Sequence, residues 1–121
     1  MSKTSRESVS RDENSARALH ENAPIFAALG DETRLTLLTK LSGGSRLSIA
    51  HLAEGSPLTR QAITKHLRVL QEAGLVCGVR QGRESRFELK PEPLDAARRS
   101  LDRISRQWDD TLARLTSFVE K

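Results

Sequence analysis

The chain has 121 residues and a formal net charge of +4, from 20 Lys and Arg against 16 Asp and Glu. This length suits one domain with a small core and is short for an enzyme that must enclose a deep cleft. No stretch is long and apolar enough for a membrane span or the core of a signal peptide. We therefore expect a cytoplasmic binding protein with an anionic partner, and neither an enzyme nor a membrane protein.

Cysteine and aromatic content narrow the choice of partner. Cys77 is the only cysteine, which excludes an intrachain disulfide and any metal site that needs several cysteines from one chain. Three Phe, one Trp and no Tyr provide few of the aromatic platforms on which single-stranded nucleic acids stack. Double-stranded DNA is therefore the better candidate partner, and we expect no cofactor and no bound metal.

The N-terminal part of the chain predicts a tail followed by helices. Residues 1–15 are polar and charged, which predicts a flexible tail before a domain over residues 16–121. A short helix is expected from Ala16, and "NAPIFAALG" predicts another. Asp31 is a suitable N-cap for the next helix, "ETRLTLLTKL", in which three leucines share the predicted inner face: Leu35, Leu38 and Leu41.

Residues 48–74 predict a helix-turn-helix. "SIAHLAEG" indicates a short bracing helix with Ile49 and Leu52 facing inward, and a Gly-Ser-Pro turn follows it. Thr59 is then a plausible N-cap for a second helix that ends at a glycine. The predicted apolar stripe of this second helix consists of Ala62, Ile63, Leu67 and Leu70.

Two further elements complete the predicted fold. In residues 75–90 the apolar period becomes alternating and "QGRE" supplies a turn, so we expect a β-hairpin with a basic tip and with Cys77 facing the core. Residues 91–120 predict a long helix. The fold class is mainly α with a small β-hairpin, in the order of a winged helix-turn-helix. The apolar residues of the long helix recur at steps of three and four: Leu94, Ala97, Leu101, Ile104, Trp108, Leu112, Leu115 and Val119.

The second helix of the predicted helix-turn-helix carries the candidate function. In this motif the second helix lies in the major groove and reads base edges with residues near its N-terminus. Arg60 suits guanine, Gln61 suits adenine and Thr64 suits a thymine methyl group. The remaining basic residues suit phosphates. The full set of predicted DNA-binding residues is Thr59, Arg60, Gln61, Thr64, Lys65, His66, Arg68, Arg80, Arg83 and Arg86.

Some of these assignments have open alternatives. His66 fits a local hydrogen bond at the edge of the core as well as a phosphate contact. The basic face could belong to a solvated helix without a partner, but the turn before it and the basic hairpin after it favour DNA. A wing beside the DNA backbone favours a phosphate or minor-groove role for Arg83 over an ordinary hairpin charge.

Three stretches of the chain carry a family resemblance: "ALGDETRLTLL", "LTRQAITKHLRVLQEAGLV" and "RQGRESRFEL", within residues 28–89. They resemble the ArsR/SmtB family of bacterial winged-helix repressors, although Glu32 stands where the family usually has proline. The resemblance implies a homodimer that binds an operator and blocks transcription until an effector releases it. The positions that match the family's Cys-x-Cys metal motif are Ser48 and Ala50, and the last helix has no histidine. We therefore expect no metal sensing of either usual type, and the small-molecule effector is left unassigned.

The long apolar stripe of the last helix predicts a dimer interface. It exceeds what a small domain covers, and uncovered apolar strips mark interfaces. Two recognition helices would then lie about one turn of DNA apart, roughly 34 Å, on an inverted-repeat operator. The predicted interface residues are Leu19, Leu101, Ile104, Trp108, Leu112, Leu115 and Val119.

Other function classes have specific sequence features for or against them. A winged-helix module that binds protein without specific DNA binding would need an acidic or apolar recognition face. A metal- or redox-responsive repressor would need an atypical site. Membrane-surface binding by the basic helix conflicts with the use of its apolar face in the core.

Overall fold

The computed structural model of the chain describes residue 14 and residues 16–119. Of the predicted tail, residues 1–15, only Asn14 is described, and it is helical; the other tail residues, and residues 120 and 121, lie outside the described part. The chain divides into two compact units. One is Ala23–Asp95, and the other comprises the described parts of Met1–Asn22 and Ala96–Lys121.

The secondary structure follows the predicted order, with one strand added. The elements are α1 (16–21), α2 (Ala23–Leu29), α3 (Glu32–Leu41), β1 (Leu47–Ser48), α4 (Ile49–Ala53), α5 (Arg60–Glu72), β2 (Val76–Gln81), β3 (Glu84–Leu89) and α6 (Pro91–Val119). This mainly helical chain with a small antiparallel sheet confirms the predicted fold class. Helices α4 and α5 form the helix-turn-helix, and strands β2 and β3 form the wing.

Side-chain N-caps define where three of the helices begin. The carboxylate of Asp31 accepts a hydrogen bond from Arg34 N at 2.9 Å, and the hydroxyl of Thr59 accepts one from Ala62 N at 3.1 Å, as predicted for both residues. The hydroxyl of Ser48 accepts from His51 N at 3.2 Å. Because a cap lies one residue outside its helix, α4 begins at Ile49, one residue later than the sequence indicated.

The core of the Ala23–Asp95 unit is mainly aliphatic. Three of the four apolar residues predicted for the stripe of α5 are buried, and its alanine is half-buried. They share the core with Leu37, Leu38 and Leu41 of α3 and with Leu52 of α4. The buried residues of α5 are Ile63, Leu67 and Leu70.

The predicted inner face of α3 is wrong at one position. Leu35 is 48% exposed, and the buried face instead runs through positions 37, 38 and 41. Position 34 falls on this inner face and carries an arginine. Its guanidinium reaches the end of α2, where Arg34 Nε donates to the carbonyl of Ala28 at 2.7 Å. The sequence prediction counted only apolar residues, so it did not consider an arginine whose charge is satisfied by hydrogen bonds. It therefore assigned the inner face to position 35 in place of position 34.

Three antiparallel strands form the sheet, in the order β1-β3-β2. Strands β2 and β3 are joined by a two-residue turn in which Gly82 has a φ of +63°. Strand β1 was not predicted from the sequence. It has two residues and pairs Leu47 with Phe87 of β3, so it is too short to show an alternating pattern of its own.

Cys77 does not face the core, in contrast to the sequence prediction. The alternation along β2 places the buried Val76 on the face of the sheet that holds Phe87, and the next residue, Cys77, on the opposite face. The thiol is half-buried there and donates to Glu88 Oε1 at 3.4 Å. The small size of a cysteine says little about which face of a strand it occupies.

In the second unit, a polar contact joins the N-terminal segment to α6. Asn22 Nδ2 donates to the hydroxyl of Ser100 at 2.8 Å, and that hydroxyl donates to the carbonyl of Ala96 at 3.3 Å. Ser100 and Ala97 are buried. None of the helices in the described residues is both long and apolar enough to span a membrane.

Candidate nucleic-acid interface

The side of α5 that faces away from the core is basic and polar. At about 100° per residue, positions 60, 61, 64, 65 and 68 fall within roughly 140° of arc, away from the buried stripe. The structure therefore brings together five of the six predicted base and phosphate contacts of this helix. With Ile49 of α4, they line one open concavity of about 590 Å³: Arg60, Gln61, Thr64, Lys65 and Arg68.

The turn between α4 and α5 holds this face in place. The turn begins where Gly55 adopts a φ of +75°, which other residues rarely tolerate. The ammonium group of Lys40 donates to the carbonyls of Leu52 and Glu54 at 3.0 and 2.9 Å, and thereby ties the C-terminus of α4 to α3. The helix that precedes the N-terminus of α5 is therefore fixed in position by hydrogen bonds to α3.

Two threonines of this site use their hydroxyl groups within the protein. Thr59 serves as the N-cap of α5, and the hydroxyl of Thr64 donates to the carbonyl of Arg60 at 2.7 Å. The hydroxyl proton of Thr64 is therefore committed inside the helix, whereas its γ-methyl group is not. The predicted contact of Thr64 with a thymine methyl group suits this arrangement, because that contact needs no hydroxyl proton.

His66 does not lie with the other predicted contacts. It is two positions before Arg68 and therefore roughly 160° away on the helix. His66 Nδ1 lies 3.3 Å from Arg34 Nη1 and 3.8 Å from the carboxylate of Asp31. This geometry favours the local hydrogen bond, which the sequence left open, over the phosphate contact. His66 thus helps to join α5 to the start of α3.

Asp31 is the acidic member of this group. The hydrogen bond from the backbone amide of Arg34 lowers the pKa of the Asp31 carboxyl below its usual value, and the positive charge of Arg34 acts in the same direction against the opposing effect of burial. The capping carboxylate therefore stays ionised at neutral pH.

The three predicted wing contacts lie in different surroundings. Arg83 is exposed in the turn between β2 and β3. Arg80 pairs in register with Ser85, and Arg86 pairs with Val79, so these two arginines lie on opposite faces of the hairpin. Arg86 also contacts Glu84 at 3.2 Å, which offsets its charge. The structure does not bring the wing arginines together on one face.

The thiol of Cys77 belongs to a polar group behind the wing. Glu88 accepts from Arg46 Nε at 3.0 Å and also from Cys77. Burial raises the pKa of the Cys77 thiol, with the hydrogen bond to Glu88 as a further cause. The hydrogen bond from Arg46, followed by that from Cys77, lowers the pKa of Glu88. The thiol is therefore held in its protonated, weakly nucleophilic form.

The donor groups that match the family's metal motif do not fit a soft metal ion. The hydroxyl of Ser48 caps α4 and lies 2.9 Å from His51 Nδ1, and Ala50 has no donor atom. Among residues 14 and 16–119, no group of three or more His, Cys, Asp or Glu side chains is arranged to hold a metal ion.

The predicted dimer-interface residues lie on one stripe of α6 and in α1. Leu19 and Ile104 are half-buried. The other five side chains are between 52% and 81% exposed: Leu101, Trp108, Leu112, Leu115 and Val119. Phe118 is 79% exposed beside this stripe and was missed by the sequence prediction, although its position three residues after Leu115 was a usable signal.

Comparison with known proteins identifies relatives of this chain. Residues 29–78 match a family model described as a helix-turn-helix domain. A helix-turn-helix-type transcriptional regulator of Mycobacterium tuberculosis is 40% identical over 95 residues, which cover 78% of this chain and 85% of that protein. The arsenical resistance operon repressor of Escherichia coli is 33% identical over 67 residues, 55% of this chain and 57% of that protein.

A solved structure gives the same result. The ArsR-like transcriptional regulator of Rhodococcus sp. RHA1 has a TM-score of 0.74 and 44% sequence identity, and the match covers 84% of this chain and 92% of that one. The fold and the basic face of α5 define a winged helix-turn-helix protein whose function is transcriptional regulation through DNA binding. The chain belongs to the ArsR family of transcriptional regulators.

Proposed function

We propose that this protein is a homodimeric transcriptional repressor that binds an inverted-repeat operator in double-stranded DNA. The observation that carries the proposal is the basic face of α5, whose exposed side chains line one concavity opposite the core. In a helix-turn-helix, this is the surface that enters the major groove.

Different parts of the face have different roles in the proposal. Arg60 and Gln61, in the first turn of α5, form paired hydrogen bonds with guanine and adenine. Lys65 and Arg68 neutralise phosphates, and the exposed Arg83 at the wing tip contacts the neighbouring backbone. His66 has no DNA contact in this scheme, since it faces Arg34.

The dimer is supported by the uncovered apolar stripe of α6. Apolar side chains at half exposure or more, repeated over five helical turns from Leu101 to Val119, are costly to leave in water. A two-fold pairing through this stripe and α1 covers them. It also supplies two α5 helices, which fit major-groove half-sites about one DNA turn, roughly 34 Å, apart.

Repression is the regulatory mode that the relatives support. The relative in Escherichia coli is a repressor, by its name, of an arsenical resistance operon. A dimer bound across an inverted repeat occludes roughly two turns of DNA and thereby excludes other proteins from that site. The effector that releases this protein is not assigned, because its residues do not fit the soft-metal motif.

The proposal is tested with a duplex that the protein enriches from a random-sequence pool. Fluorescence anisotropy compares this duplex with a scrambled one of the same composition, at two salt concentrations and with EDTA present. We expect tight binding to the enriched duplex, much weaker binding to the scrambled one, and weakening of both by salt. Failure to enrich any sequence, or equal affinity for both duplexes, would contradict operator binding.

A charge-matched pair of variants ties the binding to α5. Arg68→Ala should weaken binding to both duplexes and reduce the slope of log affinity against log salt by about one. Arg106→Ala removes the same charge from an exposed position of α6 and should leave both affinities nearly unchanged. Equal effects of the two variants would mean that net charge, and not the α5 face, attracts the DNA.

A further inference from the structure

The concavity on α5 includes one side chain that has no polar group. Ile49, the first residue of α4, is half-buried and lines the concavity with the five α5 side chains. From the sequence it was expected to pack inward. Its accessible part instead adds an aliphatic wall to a surface of arginine, lysine, glutamine and threonine. An aliphatic wall gains nothing from a phosphate group, so its counterpart on DNA must be apolar.

The major groove displays one apolar group at the edges of its base pairs, the C5-methyl group of thymine. Thr64 also lines the concavity, and its hydroxyl proton is used by the carbonyl of Arg60. The concavity thus combines aliphatic surface with the long polar side chains that surround it. This combination suits a thymine whose neighbours in the groove are read by hydrogen bonds.

We infer that Ile49 is a specificity-determining residue, which packs against the C5-methyl group of a thymine in each operator half-site. The inference rests on the proposed function and extends it, because it moves part of base recognition from α5 to the bracing helix. The preference for thymine at this position of the operator then arises from apolar contact and not from hydrogen bonding.

The test removes the methyl group from the DNA. In the enriched duplex, each thymine is replaced in turn by deoxyuridine, which pairs like thymine and lacks only the C5-methyl group. At one thymine of each half-site, we expect the affinity of the unaltered protein to fall by about fourfold, equivalent to about 0.8 kcal/mol at 1.4 kcal/mol per tenfold.

The variant Ile49→Ala should lose this discrimination. Its affinity ratio between the thymine and deoxyuridine duplexes should fall from about four to about one. Val69→Ala is the matched control, because Val69 is 39% exposed on α5 and does not line the concavity; its ratio should stay near four. Each ratio compares two duplexes on one protein sample, so a partly unfolded sample does not alter it.

The possible outcomes are distinct. A tight, sequence-specific complex in which no thymine responds to deoxyuridine overturns the inference and leaves the proposed function intact. The same holds if Ile49→Ala retains the ratio. Absence of any sequence-specific binding overturns the proposed function and this inference together.

Discussion

Helices α5 and α6 both carry an apolar stripe at helical spacing, and the two stripes have different surroundings in the fold. On α5, Ile63, Leu67 and Leu70 are at most 1% exposed. On α6, the stripe from Leu101 to Val119 is exposed by half or more at most of its positions. Periodicity therefore predicts that a helix has an apolar face, and it does not predict which surface covers that face.

The covered stripe of α5 and the uncovered stripe of α6 contribute to different processes, namely folding and association. A covered stripe contributes to the free energy of unfolding of the single chain, whereas an uncovered stripe gains its free energy only when a second surface arrives. The covered stripe of α5 leaves its basic face available as a fixed surface for DNA.

The largest expected effect is on the covered stripe. Leu67→Ala should lower the free energy of unfolding by about 2–5 kcal/mol, because it leaves a cavity at a side chain that is 1% exposed. Urea denaturation followed by circular dichroism, at one fixed protein concentration, measures the change. Leu35→Ala, at the half-exposed position of α3, is the leucine-matched control and should cost far less. Similar costs for both variants would show that α5 is not anchored by its stripe.

The uncovered stripe should respond through association. Trp108→Ala should raise the dimer dissociation constant by about 30-fold or more, as for a buried aromatic residue at an interface, and Leu112→Glu should act in the same direction. Analytical ultracentrifugation over a range of concentrations measures this constant. Arg106→Ala, roughly 160° from Trp108 on the same helix, is the control. Dimers of undiminished stability in both stripe variants would place the interface elsewhere.

The basic face of α5 should divide into residues that read bases and residues that hold the backbone. Arg60→Ala should cost about 1–3 kcal/mol on the enriched duplex and less on the scrambled one, since it removes a paired hydrogen bond to a base. Arg83→Ala should weaken binding to both duplexes alike. Anisotropy titrations measure both variants. An equal loss on the two duplexes for Arg60→Ala would remove its base-reading role.

The smallest expected effect concerns the polar group that helps to hold α5 against α3. The pKa of Asp31 is lowered in the folded protein, so its carboxylate stabilises the fold above the unfolded pKa of about 3.9, and this contribution is lost as the pH falls through the folded pKa. Asp31→Asn keeps a good N-cap and removes the charge. Its melting temperature should lie below that of the unaltered protein at neutral pH, and the gap should close as the pH falls below about 4. A gap that does not change with pH would contradict an ionised cap.

Much of the local structure was readable in advance. The caps at Asp31 and Thr59, the stripe of α5 and the two-residue turn at Gly82 were all predicted, because each depends on residues within about four positions of one another. The five-residue face of α5 followed from the same periodicity, since a buried stripe leaves the opposite side exposed.

The errors share a different cause. Leu35 was predicted on the inner face of α3, but Arg34 lies there because its guanidinium donates to a carbonyl of another helix. Cys77 was predicted to face the core, but it lies on the opposite face of β2 from the buried Val76. His66 was left open for the same reason, as its neighbours Asp31 and Arg34 lie more than 30 positions away in the chain. Arg34 and His66 are placed by partners on other helices, and the face of Cys77 depends on which neighbour in β2 is buried.

The order of the helices, the caps at Asp31 and Thr59 and the two-sided character of α5 and α6 follow from the sequence. Hydrogen bonds and side-chain spacing within one turn act over a few residues. Tertiary structure alone decided three further points. It added β1 to the wing, turned Ile49 toward the basic face, and left one apolar stripe covered and the other exposed. These outcomes depend on contacts between segments far apart in the chain, and the free energy of such contacts is set by which surfaces meet in the folded protein.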